Sequence, residues 1–353
     1  MSEIILTIII PVYNSENFEA RCVASLAKQG IRDEHFQVLL IDDGSTDNTL
    51  SAIQKMESQY SFVSAFHKKN GGTGDARNFG LDKIKGKYLY FLDIDDYLAD
   101  NTLSQIINVM DDKELELCYF QSIKTTSLDL FESQTKDPIK VDITDGIEYI
   151  AENGFEFEVW RYIINTAFFR QTGLRYESEK LLEDAFFTAC LVIAAKRVGK
   201  TNLDVHRYVD EPTSAMNKPD KKHGKRMLSD LEELTGQYDK LINECKSIEH
   251  PLRDKFLYRL QLKKEFFVYF GVIRAYKGNF DFKDVWGMLQ RSKKYDAYPF
   301  KKDKLDNDPF ADKMKFIANN KFRLYTFFNL IRPLHLFKQK FISRESSNTF
   351  NQT

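Results

Sequence analysis

Along the first hundred residues, short apolar runs alternate with polar, glycine-containing loops and with segments of helical spacing. Ile4 to Ile10 is a β-branched run closed by Pro11, the pattern of a central strand that stops where proline removes a ladder donor. Val38–Ile41 and Phe62–Phe66 predict a second and third strand. Tyr88–Leu92, apolar on both faces, predicts a fourth buried on both sides of a sheet. Between them lie helical segments. One carries Phe18, Cys22, Val23 and Leu26, with Asn14 or Ser15 as its cap and Gly30 at its end; another carries Leu50, Ile53 and Met56; a third is ended by Gly86. Four strands alternating with helices predict an α/β fold with a mostly parallel, doubly wound sheet. In such sheets ligands bind beyond the carboxyl ends of the strands. The Tyr13 turn, the Asp42–Asp43 loop, the Asn70 loop and the Asp93–Asp96 cluster all follow strand ends, so four polar loops are expected along one edge.

Further on, the pattern loosens. Leu115–Ile123 predicts another strand, 125–140 an exposed excursion, and Ile147, Tyr149 and Ile150 a short helix. Leu181–Ile193 reads as an amphipathic helix with Glu183 and Asp184 at its start, and Val205–Val209 as a short strand. From about residue 220 only helical patterns occur, one ending before Pro251 and one running from Leu252 to Tyr276. The expected organisation is two halves of one α/β domain, 1–98 and 99–215, a helical C-terminal region, 216–345, and a disordered tail, 346–353.

Composition narrows the class. The 353 residues are 42% hydrophobic and 29% charged, which suits a globular chain of about two domains. With 51 basic against 52 acidic residues, the balance argues against a nucleic-acid binder. The 29 phenylalanines and 17 tyrosines fit sugar or membrane contact and equally a core preference. Cys22, Cys118, Cys190 and Cys245 are far apart without CxxC spacing, which reads as buried small hydrophobes of a reducing cytosol and not as staples or zinc ligands. No signal-peptide pattern and no run of about 18 apolar residues occurs, so a cytoplasmic location is expected.

The apolar Tyr88 run ends in Asp93, Asp95 and Asp96, delivering three carboxylates to one sheet edge. Clustered carboxylates repel, and a hard divalent cation, Mg²⁺ or Mn²⁺, would relieve that. The alternative is an acidic helix start, with Asp95, Asp96 or Asp100 capping the helix around Leu103 and Ile106. The residues alone leave both readings open.

Taken together, Pro11-Val-Tyr-Asn14, Asp42-Asp-Gly-Ser-Thr-Asp47, Asn70-Gly-Gly with Ala76-Arg-Asn78 and Gly80, and Phe91-Leu-Asp-Ile-Asp-Asp96 resemble the GT-A family 2 glycosyltransferases, inverting enzymes that use nucleotide sugars. The resemblance covers the first hundred residues in order and spacing, and the Glu183-Asp184 pair extends it to about 190. Beyond residue 215 it gives little.

That resemblance implies a role for each motif. Pro11 and Tyr13 would offer a flat surface to a nucleobase, Asp42 would accept an imide N–H as in uracil, and Asn70 would fix base or ribose. Arg77 would neutralise phosphate, near a helix N-terminus that also favours anions. Asp93 would serve ribose or metal and Asp95 the metal, Mn²⁺ or Mg²⁺. Asp184 would be the general base for the acceptor hydroxyl, with the helix dipole favouring its ionised form. Glu183, Trp160 and His206 are weaker candidates for acceptor contact, and each has a plain structural reading: a helix start, a core ring, a satisfied buried histidine. The Gln-x-x-Arg-Trp motif of processive synthases is absent, which points to single-sugar transfer.

The expected partners are a nucleotide-sugar donor, with UDP implied, and a lipid-linked or polymeric glycan acceptor of a bacterial surface polymer. The stretch 313–344 holds eight Lys or Arg and no acid among Phe316, Phe322, Tyr325, Phe327, Phe328 and Phe337. It is expected to lie on the inner face of an anionic membrane, with an oligomer interface or plain packing as the other readings. Two rival functions remain at this stage. A sugar nucleotidyltransferase would want a basic Gly-rich loop after the first strand, where Pro11-Val-Tyr-Asn stands. A non-catalytic glycan-binding or scaffold protein would be indifferent to loss of Asp95 or Asp184.

Overall fold

The structure, a computed structural model, describes residues 3–154, 156–210, 221–278, 280–301 and 309–332. The chain forms two compact units, Met1–Asn217 with His250–Phe256, and Lys218–Glu249 with Leu257–Thr353. The first unit contains β1 (Leu6–Val12), α1 (Glu19–Leu26), β2 (Phe36–Asp42), α2 (Thr49–Gln59), β3 (Val63–His67), α3 (Thr73–Leu81), β4 (Tyr88–Phe91), β5 (Tyr97–Leu98), α4 (Thr102–Asp112) and β6 (Leu117–Thr125). It continues with β7 (Val141–Thr144), α5 (Gly146–Asn153), β8 (Tyr162–Asn165), α6 (Thr166–Thr172), α7 (Glu183–Ala194) and β9 (Val198–Val209).

One sheet runs in the order β3-β2-β1-β4-β8-β6-β9-β5, with β7 also on β9. The first four strands pair in parallel, as the alternating pattern predicts. From β8 the sheet turns mixed: β8 is antiparallel to both β4 and β6, while β9 runs parallel to β6. Alternate residues of the parallel strands point to opposite layers. Ile8, Ile10, Val38 and Leu40 face a layer with Cys22, Leu26, Ile53, Leu103 and Ile106, all buried. Each such side chain contributes roughly 1.5–3 kcal/mol. On the other face α3 comes so close that a Cβ on Gly80 would sit 2.6 Å from Ile9.

Several boundaries differ from the sequence pattern for physical reasons. β1 runs through Pro11, which stands opposite Ile41, and ends at Val12. Helix α1 begins at Glu19 without a side-chain cap, because Asn14 and Ser15 instead bind the loop after β2. None of Asp95, Asp96 and Asp100 caps α4. Gln29 does so from another element, its Oε1 accepting from the Thr102 and Leu103 N–H groups at 3.2 and 3.0 Å. β8 is a strand that the sequence pattern does not announce, and the short strand expected at Val205 is the end of a twelve-residue one. Cys22, Cys118 and Cys245 are buried, Cys190 is partly so, and all four are free thiols.

The second unit is helical: α8 (Lys221–Cys245), residues 257–277 of α9 (Arg253–Lys277), α10 (Phe282–Ser292), α11 (Pro309–Ala318) and α12 (Lys321–Thr326), the last followed by a wider turn at Phe327–Ile331. Val268, Val272, Met288, Leu289, Met314, Leu324 and Phe328 pack its core. Among the described residues no helix is long and apolar enough to cross a membrane. The predicted tail 346–353 lies outside the described residues.

Candidate active site

The loops after β1, β2 and β3 are laced into one surface. Asn14, at φ 46°, donates its N–H to Ser45 Oγ at 2.9 Å and accepts from the Thr46 N–H at 2.8 Å. Beside it the Tyr13 ring is 45% exposed. Asp42 is fully buried: its Oδ1 accepts from the Ser45 N–H at 3.1 Å, and its Oδ2 lies 2.6 Å from His67 Nδ1. Asp43 braces the next loop. Its carboxylate accepts from Lys68 Nζ at 2.7 Å and from the Gly71 and Gly72 N–H groups at 3.0 and 2.7 Å. Asn70, itself exposed, donates its side-chain amide to the Asp43 carbonyl at 2.8 Å. Gly44, at φ 73°, is required where this loop folds back: a Cβ there would stand 2.8 Å from the Asn70 nitrogen.

Of the three acids that follow β4, two reach the rim. Asp93 is 35% exposed, and Asp95 is half-buried. Asp96 turns inward, correcting the expectation of three charges on one edge. It is buried, accepts from the Val209 N–H at 2.9 Å, and has its pKa raised first by burial and then by the Asp93 charge. Burial and the Asp93 charge thus both disfavour the ionised form of Asp96. Arg21 fixes the turn from below, donating to the Asp95 carbonyl at 2.6 Å.

Arg77 on α3 joins this rim to α7. Its Nη2 donates to Asp93 Oδ1 at 3.0 Å and its Nη1 to Glu183 Oε1 at 2.5 Å, with the residue only 4% exposed. Burial lowers its pKa, but the Glu183 and Asp93 charges outweigh that and the net direction is upward. Glu183 and Asp184 open α7 behind Leu182, which adopts a left-handed conformation at φ 62°. Burial raises the pKa of both acids. For Asp184 the next cause is the Glu183 charge, and for Glu183 the Arg77 charge opposes the rise. Desolvation, the largest cause at Asp184, acts against the ionised form.

The segment before α7 is tied back to α3. Asn78 grips the Tyr176 backbone twice, donating to its carbonyl at 2.9 Å and accepting from its N–H at 3.0 Å. The Glu179 N–H donates to the Gly71 carbonyl at 3.1 Å. Gly74 allows this approach: a Cβ there would meet the Glu177 carbonyl oxygen at 2.6 Å.

Trp160 is 8% exposed, and His206 is fully buried beneath it with rings 4.4 Å apart and 13° from parallel. His206 Nδ1 lies 2.9 Å from Ser122 Oγ, and its Nε2 approaches Asp96 Oδ2 to 3.1 Å without hydrogen-bond alignment. Burial pushes its pKa down to about 3, so the ring is neutral. Two of the three residues expected at the acceptor, Trp160 and His206, thus fall on packed positions behind the acidic turn. A cavity of about 410 Å³ lies at the other end of β4, lined by Lys87, Tyr88, Asp111, Glu116, Asn165 and Phe168, and involves none of the loops above.

The profile of the glycosyl transferase family 2 matches residues 7–186, half of the chain, and spans every one of these loops. The chain belongs to glycosyl transferase family 2. Among its relatives in the family, an uncharacterized glycosyltransferase, EpsJ of Bacillus subtilis, is 26% identical over 221 residues, 61% of this chain and 64% of that one. The poly(ribitol-phosphate) β-N-acetylglucosaminyltransferase TarS of Staphylococcus aureus is 28% identical over 206 residues, 57% of this chain and 35% of that one. The chain thus spans less than two thirds of either relative's length. In fold it matches residues 1–349 of S. aureus TarS in complex with UDP-GlcNAc, with TM-score 0.64 and 18% identity over 92% of this chain and 91% of that one. It also matches a mannosyltransferase of Pyrobaculum calidifontis in complex with GDP-Man and Mn²⁺, with TM-score 0.53 and 12% identity over 92% and 87%.

In this family 2 chain, Asp43, Asn78 and Tyr176 had no assigned part in the sequence pattern. Asp43 was legible as half of an Asp-Asp pair before glycine. The grip of Asn78 on Tyr176 spans about a hundred residues, and no local signal announces it. Among the described residues no group of three or more His, Cys, Asp or Glu side chains is arranged to hold a metal ion.

Proposed function

We propose that this chain is an inverting, non-processive glycosyltransferase that moves one sugar from a UDP-sugar to a glycan or polyol-phosphate acceptor in bacterial surface-polymer synthesis. The observation that carries this is the convergence, around Arg77, of Asp93 from the end of β4 and Glu183 with Asp184 from the start of α7. A donor carboxylate and Glu183, the neighbour in sequence of the candidate base Asp184, are thereby held together by one side chain. Support for the donor and acceptor class comes from TarS, whose structure holds UDP-GlcNAc and whose name gives poly(ribitol-phosphate) as acceptor.

Asp93 and Asp95 fit Mn²⁺ or Mg²⁺. Two part-exposed carboxylates without a third protein ligand suit a cation that keeps waters and takes its other ligands from a diphosphate. Bound there, such an ion supplies Lewis-acid stabilisation to the departing diphosphate. The chain's own residues do the rest. Tyr13 and Pro11 offer a surface to the base, Asn70 lies at its rim, and Asp42 supports that surface from beneath through Ser45 and His67. Asp184, in its ionised form, takes the proton from the acceptor hydroxyl as that oxygen attacks the anomeric carbon from the face opposite the diphosphate. One such displacement inverts the configuration. General-base assistance is worth about 10²–10⁴-fold.

The second unit suits contact with an anionic membrane surface. Phe316, Phe322 and Tyr325 are exposed beside exposed Lys313, Lys321 and Arg323. Residues 333–344 of the stretch expected to take part lie outside the described residues, and an oligomer interface is the alternative use of the same surface.

The test is a screen of nucleotide sugars for metal-dependent hydrolysis, followed by transfer assays with two variants. Asp95→Ala should abolish stabilisation by UDP with Mn²⁺. Asp184→Asn should bind UDP normally and lose transfer by about 10²–10⁴-fold. Full transfer by Asp184→Asn removes it as the base; a wild type that binds no nucleotide favours a glycan-binding role.

A further inference from the structure

We infer that Arg77 is a positioning residue, a strut that couples the donor carboxylate Asp93 to Glu183, so that a change at the acceptor-side acid is felt by the donor nucleotide. This rests on the donor reading of the preceding subsection. Both Nη groups of Arg77 are engaged, one by each carboxylate, at 3.0 and 2.5 Å. The guanidinium carbon lies 5.4 Å from the Tyr176 ring and 6.0 Å from the Phe91 ring, which fix its plane. Only a planar fork can give separate, directed donors to two acids; a lysine is a point charge. The family resemblance implies a phosphate partner for Arg77, whereas its charge here already faces two carboxylates.

The two ends of the strut differ. The Glu183 side chain is 10% exposed and that of Asp93 is 35% exposed, so a donor reaches the pair from the Asp93 end. The Glu183 end cannot drift, because Asn78 holds Tyr176 and Gly71 holds Glu179. Removing the Glu183 charge leaves Arg77 with a single carboxylate. Its hold on Asp93 then tightens, in competition with a donor-borne cation. Glu183 thus affects donor binding while standing on the acceptor side.

The decisive measurement is calorimetric titration of the full chain with UDP in the presence of Mn²⁺. Glu183→Gln should weaken UDP binding about fivefold or more, the size expected for neighbours within one ionic network. The same substitution in an Arg77→Lys background should change affinity less than about twofold. Unchanged affinity for Glu183→Gln overturns the strut while leaving the donor site standing. Equal weakening in both backgrounds also overturns it, since the effect would then be charge acting through space. If Arg77→Lys does not fold, a cycle of Glu183→Gln with Asp93→Asn replaces it: a non-additive loss supports the coupling and an additive one removes it. Wild-type chain that binds no UDP with Mn²⁺ fails the donor reading itself, and the strut with it.

Discussion

The two halves of the sheet in the first unit are held by different means. In β3-β2-β1-β4 every pairing is parallel, and the loops at the strand ends are stitched by backbone-directed contacts such as those of Asp43 and Asn14. In β8-β6-β9 the pairing is mixed, and β9 is fixed by a buried ion pair within the strand and by its bonds to the segment before β7. Arg207, fully buried on β9, donates to both oxygens of Asp204, at 2.6 and 2.9 Å, and to the carbonyls of Leu130 and Glu132, each at 2.8 Å. Local stitching tolerates the loss of one thread. A buried charge pair does not, because removing one partner strands the other away from water.

That contrast can be broken most sharply at Arg207. Arg207→Ala should cost about 3–5 kcal/mol in a urea or thermal unfolding measurement. Lys68→Ala should cost only about 1–2 kcal/mol, since Asp43 keeps its two backbone donors. Equal costs would erase the distinction. Next in size, Gly74→Ala should destabilise by about 1–3 kcal/mol, because the added methyl meets the Glu177 carbonyl at 2.6 Å. Its unfolding transition is the measurement.

A smaller, pH-dependent effect concerns Asp184. Its pKa is raised, first by burial and then by Glu183, and a base must be unprotonated to act. The transfer rate should therefore rise with pH through a limb lying above the ordinary aspartate value of about 3.9. Glu183→Gln, which removes the second cause, should move that limb toward acid in a kcat–pH profile. The smallest effect is expected at Asp96→Asn. Burial and the Asp93 charge already disfavour its ionised form, and its Oδ1 contact to Val209 survives the substitution, so the melting transition should report a loss under about 1 kcal/mol.

The same division explains what the amino-acid pattern disclosed. The parallel strands and the four loops at their ends were legible, because β-branched runs, turn residues and helix spacing are local signals. Glu183 and Asp184 were legible as a pair at a helix start, though not how deeply burial would act on both acids. The inward turn of Asp96 was not, since spacing alone cannot say which of three neighbouring acids packs against His206. Nor was the capping of α4 by Gln29, which arrives from the turn after α1, more than seventy residues earlier. Trp160 and His206 read as candidates for contact because rings and imidazoles bind ligands in general. Their mutual stacking emerges only when β9 is placed in register.

The double grip of Asn78 on Tyr176 has a consequence for recombining this chain with its relatives. The path from Tyr176 to Glu183 is a tether of fixed length, pinned at one end by Asn78 and at the other by Arg77. A chimera that exchanges the acceptor-side segment can be joined ahead of Gly173 or after α7 with little disturbance. A junction inside the tether, or a single inserted residue, would detach Glu183 from Arg77 while leaving the rest of the unit intact.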